Sequence, residues 1–307
     1  MSLVSMLSRK GSSGFGFGST AEDVTQGLVL SGRTILVTGI NSGIGFETMR
    51  VLALRGARVI AAARTEEKAR AATAKVKGST LPVACELSDP ASILACVELL
   101  KAEDVRLDAV ICNAGIMALP KLEQAFGYEL QFFTNHVGHF ILVTHLLDQL
   151  SEDARVVVVS SRAHNTAPKH GIEFDNLSGL RGYSPARAYG QSKLANILFA
   201  KELARRFETT ARTANAVHPG VINTKLGRSM PGIARAGLAI ASPLVMKNVA
   251  EGAATQCYVA TRPDFGASGE YFADCNIARS SKLSRDPDLA RRLWNESERI
   301  ALEVLPP

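Results

Sequence analysis

At 307 residues, 46% of them hydrophobic and 21% charged, the chain carries enough apolar material for a large core, which excludes general disorder. Its formal charge of +6 is a modest excess, scattered and never interleaved with aromatics, so nucleic acid is not an expected partner. The five cysteines, Cys85, Cys96, Cys112, Cys257 and Cys275, lie far apart without a Cys-x-x-Cys pair, which argues against a disulfide framework or a zinc site.

Residues 1–29 come first. Met1 to Lys10 make a poor signal peptide, and residues 11–20, GSSGFGFGST, read as a flexible leader with Phe15 and Phe17 as candidates to dock on the body. No run reaches the roughly 18 uninterrupted apolar residues of a spanning helix. The nearest, Gly232 to Met246, is interrupted by Arg235. No membrane-spanning segment is expected, and the default location is cytoplasmic.

From residue 30 to 307 short apolar runs alternate with longer amphipathic stretches. Expected strands are Thr34–Val37, Arg58–Ala62, Leu81–Cys85, Ala109–Cys112, Val156–Val159 and Ala214–His218, with Gly269–Phe272 as a last one. Expected helices are Ile44–Arg55, Glu66–Lys77, Pro90–Lys101, Phe126–Leu150, Pro185–Phe207 and Val249–Ala260. This alternation implies right-handed crossovers and a single α/β domain, a doubly wound parallel sheet flanked by helices.

The first strand runs into Gly39-Ile40-Asn41-Ser42-Gly43-Ile44-Gly45, where a helix begins. Glycines there permit a tight turn and let a pyrophosphate approach backbone amides at the helix N-terminus. The second strand ends Ala63-Arg64, with a cation where an acidic residue would bind a ribose hydroxyl. Arg64 suits a 2′-phosphate, so NADP(H) is the expected cofactor. Further on, Tyr189 and Lys193 stand four apart on one helix face, where an ammonium would favour the phenolate of a proton-exchanging tyrosine. Ser160 and Ser161 follow a buried strand at its C-terminal end, where ligands sit in open α/β sheets, and Asn113-Ala114-Gly115 follows another.

With these motifs the chain resembles the short-chain dehydrogenase/reductase family over roughly residues 30–300. The match includes His218-Pro219-Gly220 with Thr224, and Ser161-Arg162-Ala163-His164 and Glu251-Gly252-Ala253-Ala254 are similar to the retinol dehydrogenase-like branch. The resemblance implies a Rossmann fold and hydride transfer between NADP(H) and the carbonyl or alcohol carbon of a small lipophilic substrate, retinoid-, steroid- or aromatic ketone-like. It implies Tyr189 as general acid/base, Lys193 tuning it and holding the nicotinamide ribose, Ser161 orienting the reacting oxygen, and Asn135 in a water-linked proton relay. Pro219, Gly220, Val221, Ile222 and Thr224 would hold the carboxamide, and Asn113, Ala114 and Gly115 the adenosine side. Many members have Asp after the third strand; here Glu86, before Leu87, is the substitute for the adenine contact.

Residues 226–246 are expected to form an apolar lid over the pocket. His136, His139 and His145 lack companion ligands, so packing, or support of a site from behind, is favoured over a metal. His164 reads as a loop residue and Cys112 as a core one. A homo-oligomer is compatible with the sequence. Two competing readings are an NADP(H)-binding redox-sensing or scaffold protein with little turnover, and a reductase of carbon–carbon double bonds.

Overall fold

The computed structural model describes residues 10–222, 246–263 and 265–306. Eight strands build the main sheet: β1 (Thr34–Thr38), β2 (Arg58–Ala63), β3 (Thr80–Ala84), β4 (Leu107–Cys112), β7 (Leu150–Val159), β8 (Thr213–His218), β9 (Tyr271–Ala273) and β10 (Asn276–Ile277). The short hairpin β5 (Gln124–Ala125) and β6 (Tyr128–Glu129) stands apart. The sheet order is β10-β9-β8-β7-β4-β1-β2-β3, and every pairing is parallel except β9 with β10. The order reverses between β1 and β4, and the C-terminal ends of these two strands open the crevice in which such sheets bind ligands. All seven expected strands are present, with β10 added at the edge.

Two apolar layers sandwich the sheet. Alternation along each strand sends Leu36, Val110, Val156 and Val158 to one layer and Val37, Ile111, Val157 and Val159 to the other. The first layer packs beneath helices Pro90–Ala102, Gly138–His145 and Pro185–Arg206, the second beneath Gly43–Leu54 and Val249–Thr261. Four consecutive valines in β7 are buried on both faces, each contributing about 1.5 kcal/mol or more of apolar transfer. A strand so covered cannot slip without exposing a whole row of side chains. Ser160 and Ser161 are held accordingly.

Three elements depart from expectation. The segment expected as helix Phe126–Leu150 begins instead as the β5–β6 turn, where Phe126 and Gly127 both take positive φ. It continues as Leu130–Phe132, a π turn over Phe133–Val137 and α-helix Gly138–His145, ending before a 3-10 turn at Leu147–Gln149. Helix Glu66–Thr73 stops short of the expected Lys77. Residues 10–29 do not behave as the expected flexible leader but pack on the body. Thr20 caps a short helix, Ala21–Val24, through a reciprocal bond with Asp23, and Ala21 and Val24 are fully buried against helix Val249–Thr261. No helix among the described residues is long and apolar enough to cross a membrane.

Candidate active site

Helix Gly43–Leu54 starts at Ser42, whose side chain makes no capping bond; helices starting after Thr65, Asp89, Asn248 and Asp286 are all capped by side chains. Its first amides are therefore open donors at the positive end of the helix dipole, as an anionic diphosphate requires. Gly45 belongs to the turn because a Cβ there would run into the Gly39 carbonyl oxygen and the Asn113 amide. Asn41 and Ser42 are exposed, and Ile44 is buried beneath them.

The floor of this turn is a network around Thr38, which is 2% exposed. Thr38 Oγ1 accepts from the backbone amides of Asn113 and Ala114, each at 2.9 Å, and contacts His139 Nε2 at 2.9 Å. His139 Nδ1 lies 3.0 Å from the Asn135 carbonyl, which can only accept, so Nδ1 carries the proton and Nε2 accepts from Thr38. Burial pushes the His139 imidazole down to about 4, in keeping with that neutral tautomer. Asn113 Nδ2 donates to the Thr38 carbonyl at 2.8 Å, and Gln256 Nε2 to Asn113 Oδ1 at 3.3 Å. Gln256 is a site-building residue that the sequence pattern did not reveal; no periodicity separates it from ordinary core positions. His136 and His139 serve packing and hydrogen bonding; among the described residues there is no cluster suited to a metal ion.

Where the adenosine side is expected, Arg64 follows β2, exposed and without an ion pair or hydrogen bond among the described residues. Glu86 is turned back on its own loop: its carboxylate accepts from the Ser88 amide and hydroxyl at 3.1 and 2.9 Å. Leu87 is 2% exposed and belongs to the core, so only its backbone is left for a ligand.

Helix Pro185–Arg206 carries Tyr189 and Lys193. Gly190, between them, lets the turn Arg162–Thr166 press against the helix, since a Cβ would meet the Ala163 carbonyl at 2.7 Å. That contact brings Ser161 to Tyr189. Ser160 points inward, donating to the Lys193 carbonyl at 2.7 Å, whereas Ser161 faces the phenol. His164 Nδ1 lies 2.7 Å from the Ser161 carbonyl and its Nε2 accepts from the Ser281 amide at 3.0 Å, so this loop histidine fixes the backbone of Ser161.

Lys193, 4% exposed, donates to the Val159 carbonyl at 3.0 Å, and its Nζ lies 5.7 Å from the Tyr189 ring centroid. Burial pushes the phenol up to about 12, against the pull of the Ser161 hydroxyl, and pushes the ammonium down to about 8. Burial is thus the dominant influence on the phenol, opposed by the Ser161 hydroxyl, while the ammonium that was expected to favour the phenolate donates to Val159.

Asn135 is fully buried in the π turn. Its Nδ2 donates to the Ile116 carbonyl at 3.0 Å and to Ser192 Oγ at 2.9 Å, and its Oδ1 accepts from the Ile116 amide at 2.8 Å. Its side chain therefore clasps the loop after β4, and a Cβ on Gly115 would lie 3.1 Å from Asn135 Oδ1 and 3.5 Å from Lys193 Nζ. Ile116, Met117, Ala118 and Leu119 continue as a half-buried apolar wall beside the reaction centre. Across the crevice, Pro219 is buried, Gly220 has φ +98°, and Val221 and Ile222 come next, exposed and half-buried. Thr224 and the expected lid lie outside the described residues, except Met246.

The chain and its fold have counterparts among known proteins. The short chain dehydrogenase family profile matches residues 33–231. The chain is 40% identical to "Short-chain dehydrogenase TIC 32 B, chloroplastic" of Brassica napus, over 98% of each protein. It is 39% identical to Retinol dehydrogenase 14 of Mus musculus, covering 88% of this chain and 86% of the relative. A crystal structure of an uncharacterized protein from Mycobacterium Paratuberculosis superposes with a TM-score of 0.75 at 32% identity, covering 92% of this chain and 98% of that one. That family comprises oxidoreductases of alcohol and carbonyl groups that use nicotinamide cofactors. The chain belongs to the short-chain dehydrogenase family, in its retinol dehydrogenase-like branch.

Proposed function

We propose that the protein is an NADP(H)-dependent oxidoreductase that interconverts a lipophilic ketone or aldehyde with its alcohol, with Tyr189 as general acid/base. The observation that carries this reading is the convergence of Tyr189, Ser161 and Lys193 at the C-terminal end of β7, beside an uncapped helix N-terminus. A bound reduced nicotinamide would supply the hydride. Ser161 holds the substrate oxygen at the phenol, and Tyr189 gives that oxygen its proton as the carbonyl is reduced. Lys193, a protonated neighbour below about pH 8, stabilises the phenolate left behind. Asn135 contributes by holding Ile116, and with it the wall a substrate would lean on. The apolar side chains of Ile116–Leu119 favour a lipophilic partner.

Arg64 supports the choice of NADP(H), because an exposed guanidinium, unpaired among the described residues, at the end of β2 suits a 2′-phosphate. Cofactor consumption across a panel of lipophilic carbonyls, with the alcohol product identified, tests the reading. NADPH should be preferred to NADH, and Arg64→Ala should raise KM for NADPH about tenfold or more while leaving NADH kinetics unchanged. Tight NADPH binding with no turnover of any carbonyl would instead favour a redox-sensing protein.

Reduction should also respond to pH. Lys193 sits below its ordinary value, so it loses its proton as pH rises through about 8, and the stabilised phenolate goes with it. The profile of kcat/KM for reduction should be flat from pH 6 to 7 and fall above about 8. A fall centred near the ordinary lysine value, ~10.4, would contradict the role given to this buried ammonium.

A further inference from the structure

The N-terminal segment ends against the loop that succeeds β8, and the link is a short chain of specific contacts. Asn276 on β10 receives the segment with both ends of its amide: Oδ1 accepts from the Ser13 amide at 3.1 Å, and Nδ2 donates to the Phe15 carbonyl at 3.1 Å and to the Asp274 carbonyl at 2.7 Å. Phe15 rests edge-on against Tyr258. These holds place the ring of Phe17 5.0 Å from Lys247 Nζ.

Lys247 is an unusual side chain to find there. It is 1% exposed, and among the described residues its ammonium has a single ionic partner, Asp274 at 2.6 Å. A buried cation needs such cover, because its desolvation is otherwise uncompensated. Its stem lies against Gly220: a Cβ on that glycine would meet Lys247 Cδ at 2.7 Å. Its backbone amide donates to the Val221 carbonyl at 2.9 Å, and Lys247 bridges Ile222 in parallel pairing. The loop Pro219–Ile222 is thus supported from behind by one lysine, and that lysine is capped by a ring from the N-terminal segment.

The geometry points to residues 10–24 as a strap that holds the nicotinamide-side loop in its binding form, with Phe17 and Asn276 as positioning residues for the dinucleotide. This inference rests on the NADP(H) reading above. Without the ring, the ammonium turns toward water, its stem leaves Gly220, and the pairing with Val221 and Ile222 loosens. The ring of Phe17 faces Lys247 behind this loop, whereas the segment's helix Ala21–Val24 packs on helix Gly43–Leu54, with Ile44 in the same cluster and Glu22 paired to Arg50; Phe17 and Asn276 are therefore the positions that separate an effect on the loop from one on the Gly39–Gly45 turn.

The test is a binding titration on the full chain with two probes, NADPH and 2′,5′-ADP, the second lacking the nicotinamide half. Phe17→Ala and Asn276→Ala should each weaken NADPH roughly tenfold, the worth of a desolvated cation–π contact, and leave 2′,5′-ADP unchanged. Phe17→Tyr should restore NADPH affinity. In a Lys247→Met background, which keeps an apolar stem without the charge, Phe17→Ala should lose most of its effect. Unchanged NADPH affinity in the single variants would overturn the strap. So would equal weakening of both probes, which would mark the segment as a general support of the fold. Wild-type protein that binds 2′,5′-ADP but not NADPH, or neither, would overturn the underlying cofactor reading together with the strap.

Discussion

Replacing Tyr189 by Phe should lower kcat for carbonyl reduction by about 100- to 10,000-fold, the worth of a positioned general acid. NADPH affinity should change little. The substitution removes one oxygen and keeps the ring that packs 5.7 Å from Lys193 Nζ, so the helix and its neighbours stay in place. Steady-state turnover together with NADPH fluorescence titration separates the two effects. A variant that turns over like the parent would show that the proton comes from elsewhere, and the assignment of Ser161 as its partner would fall with it.

The second large effect is expected at Thr38, a residue that touches no substrate. Thr38→Val is nearly isosteric, yet it strips the acceptor from the Asn113 and Ala114 amides and the donor from His139 Nε2. The Ala114 amide and His139 Nε2 would be left without these partners, each costing about 1 kcal/mol or more, while the Asn113 amide would keep its bond to the Ile111 carbonyl. A loss of about 2 kcal/mol should lower Tm by roughly 3 °C or more for a chain of this size, and NADPH affinity should drop if the loop after β4 forms one wall of its crevice as proposed. Thr38→Ser keeps the hydroxyl and should behave close to wild type. Thermal melts of the three proteins decide it; an unshifted Thr38→Val would mean that the network is dispensable.

Strand positions and the doubly wound class are legible in the sequence because they obey local rules. A doubly covered strand must read as an apolar run, as Val156–Val159 does, and a phosphate-binding turn must carry its glycines after the first strand. Other features depend on what tertiary packing brings together. The Gly- and Ser-rich composition of residues 11–20 suggests mobility, but nothing in it shows that Asn276, more than 250 positions away, captures Ser13 and Phe15. The stretch beginning at Phe126 is apolar enough to pass for helix, and only the positive φ of Phe126 and Gly127 turns it into a hairpin. The protonation of Tyr189 is hidden for a related reason. Spacing of four places an ammonium beside a phenol, but burial, a property of the whole fold, raises the phenol and lowers the ammonium.

The π turn at Phe133–Val137 has a consequence for how two loops can share one helix. Asn135 must reach Ile116 after β4, while His139 must reach Thr38 at the end of β1. The wide turn winds one residue more than a regular helix over nearly the same rotation, so the segments on either side keep their phase while Asn135 and His139 each meet a different loop. A residue inserted or removed in the regular winding beyond it has no such turn to absorb it and would swing what precedes it by about 100°, so this stretch should tolerate changes of side chain far better than changes of length.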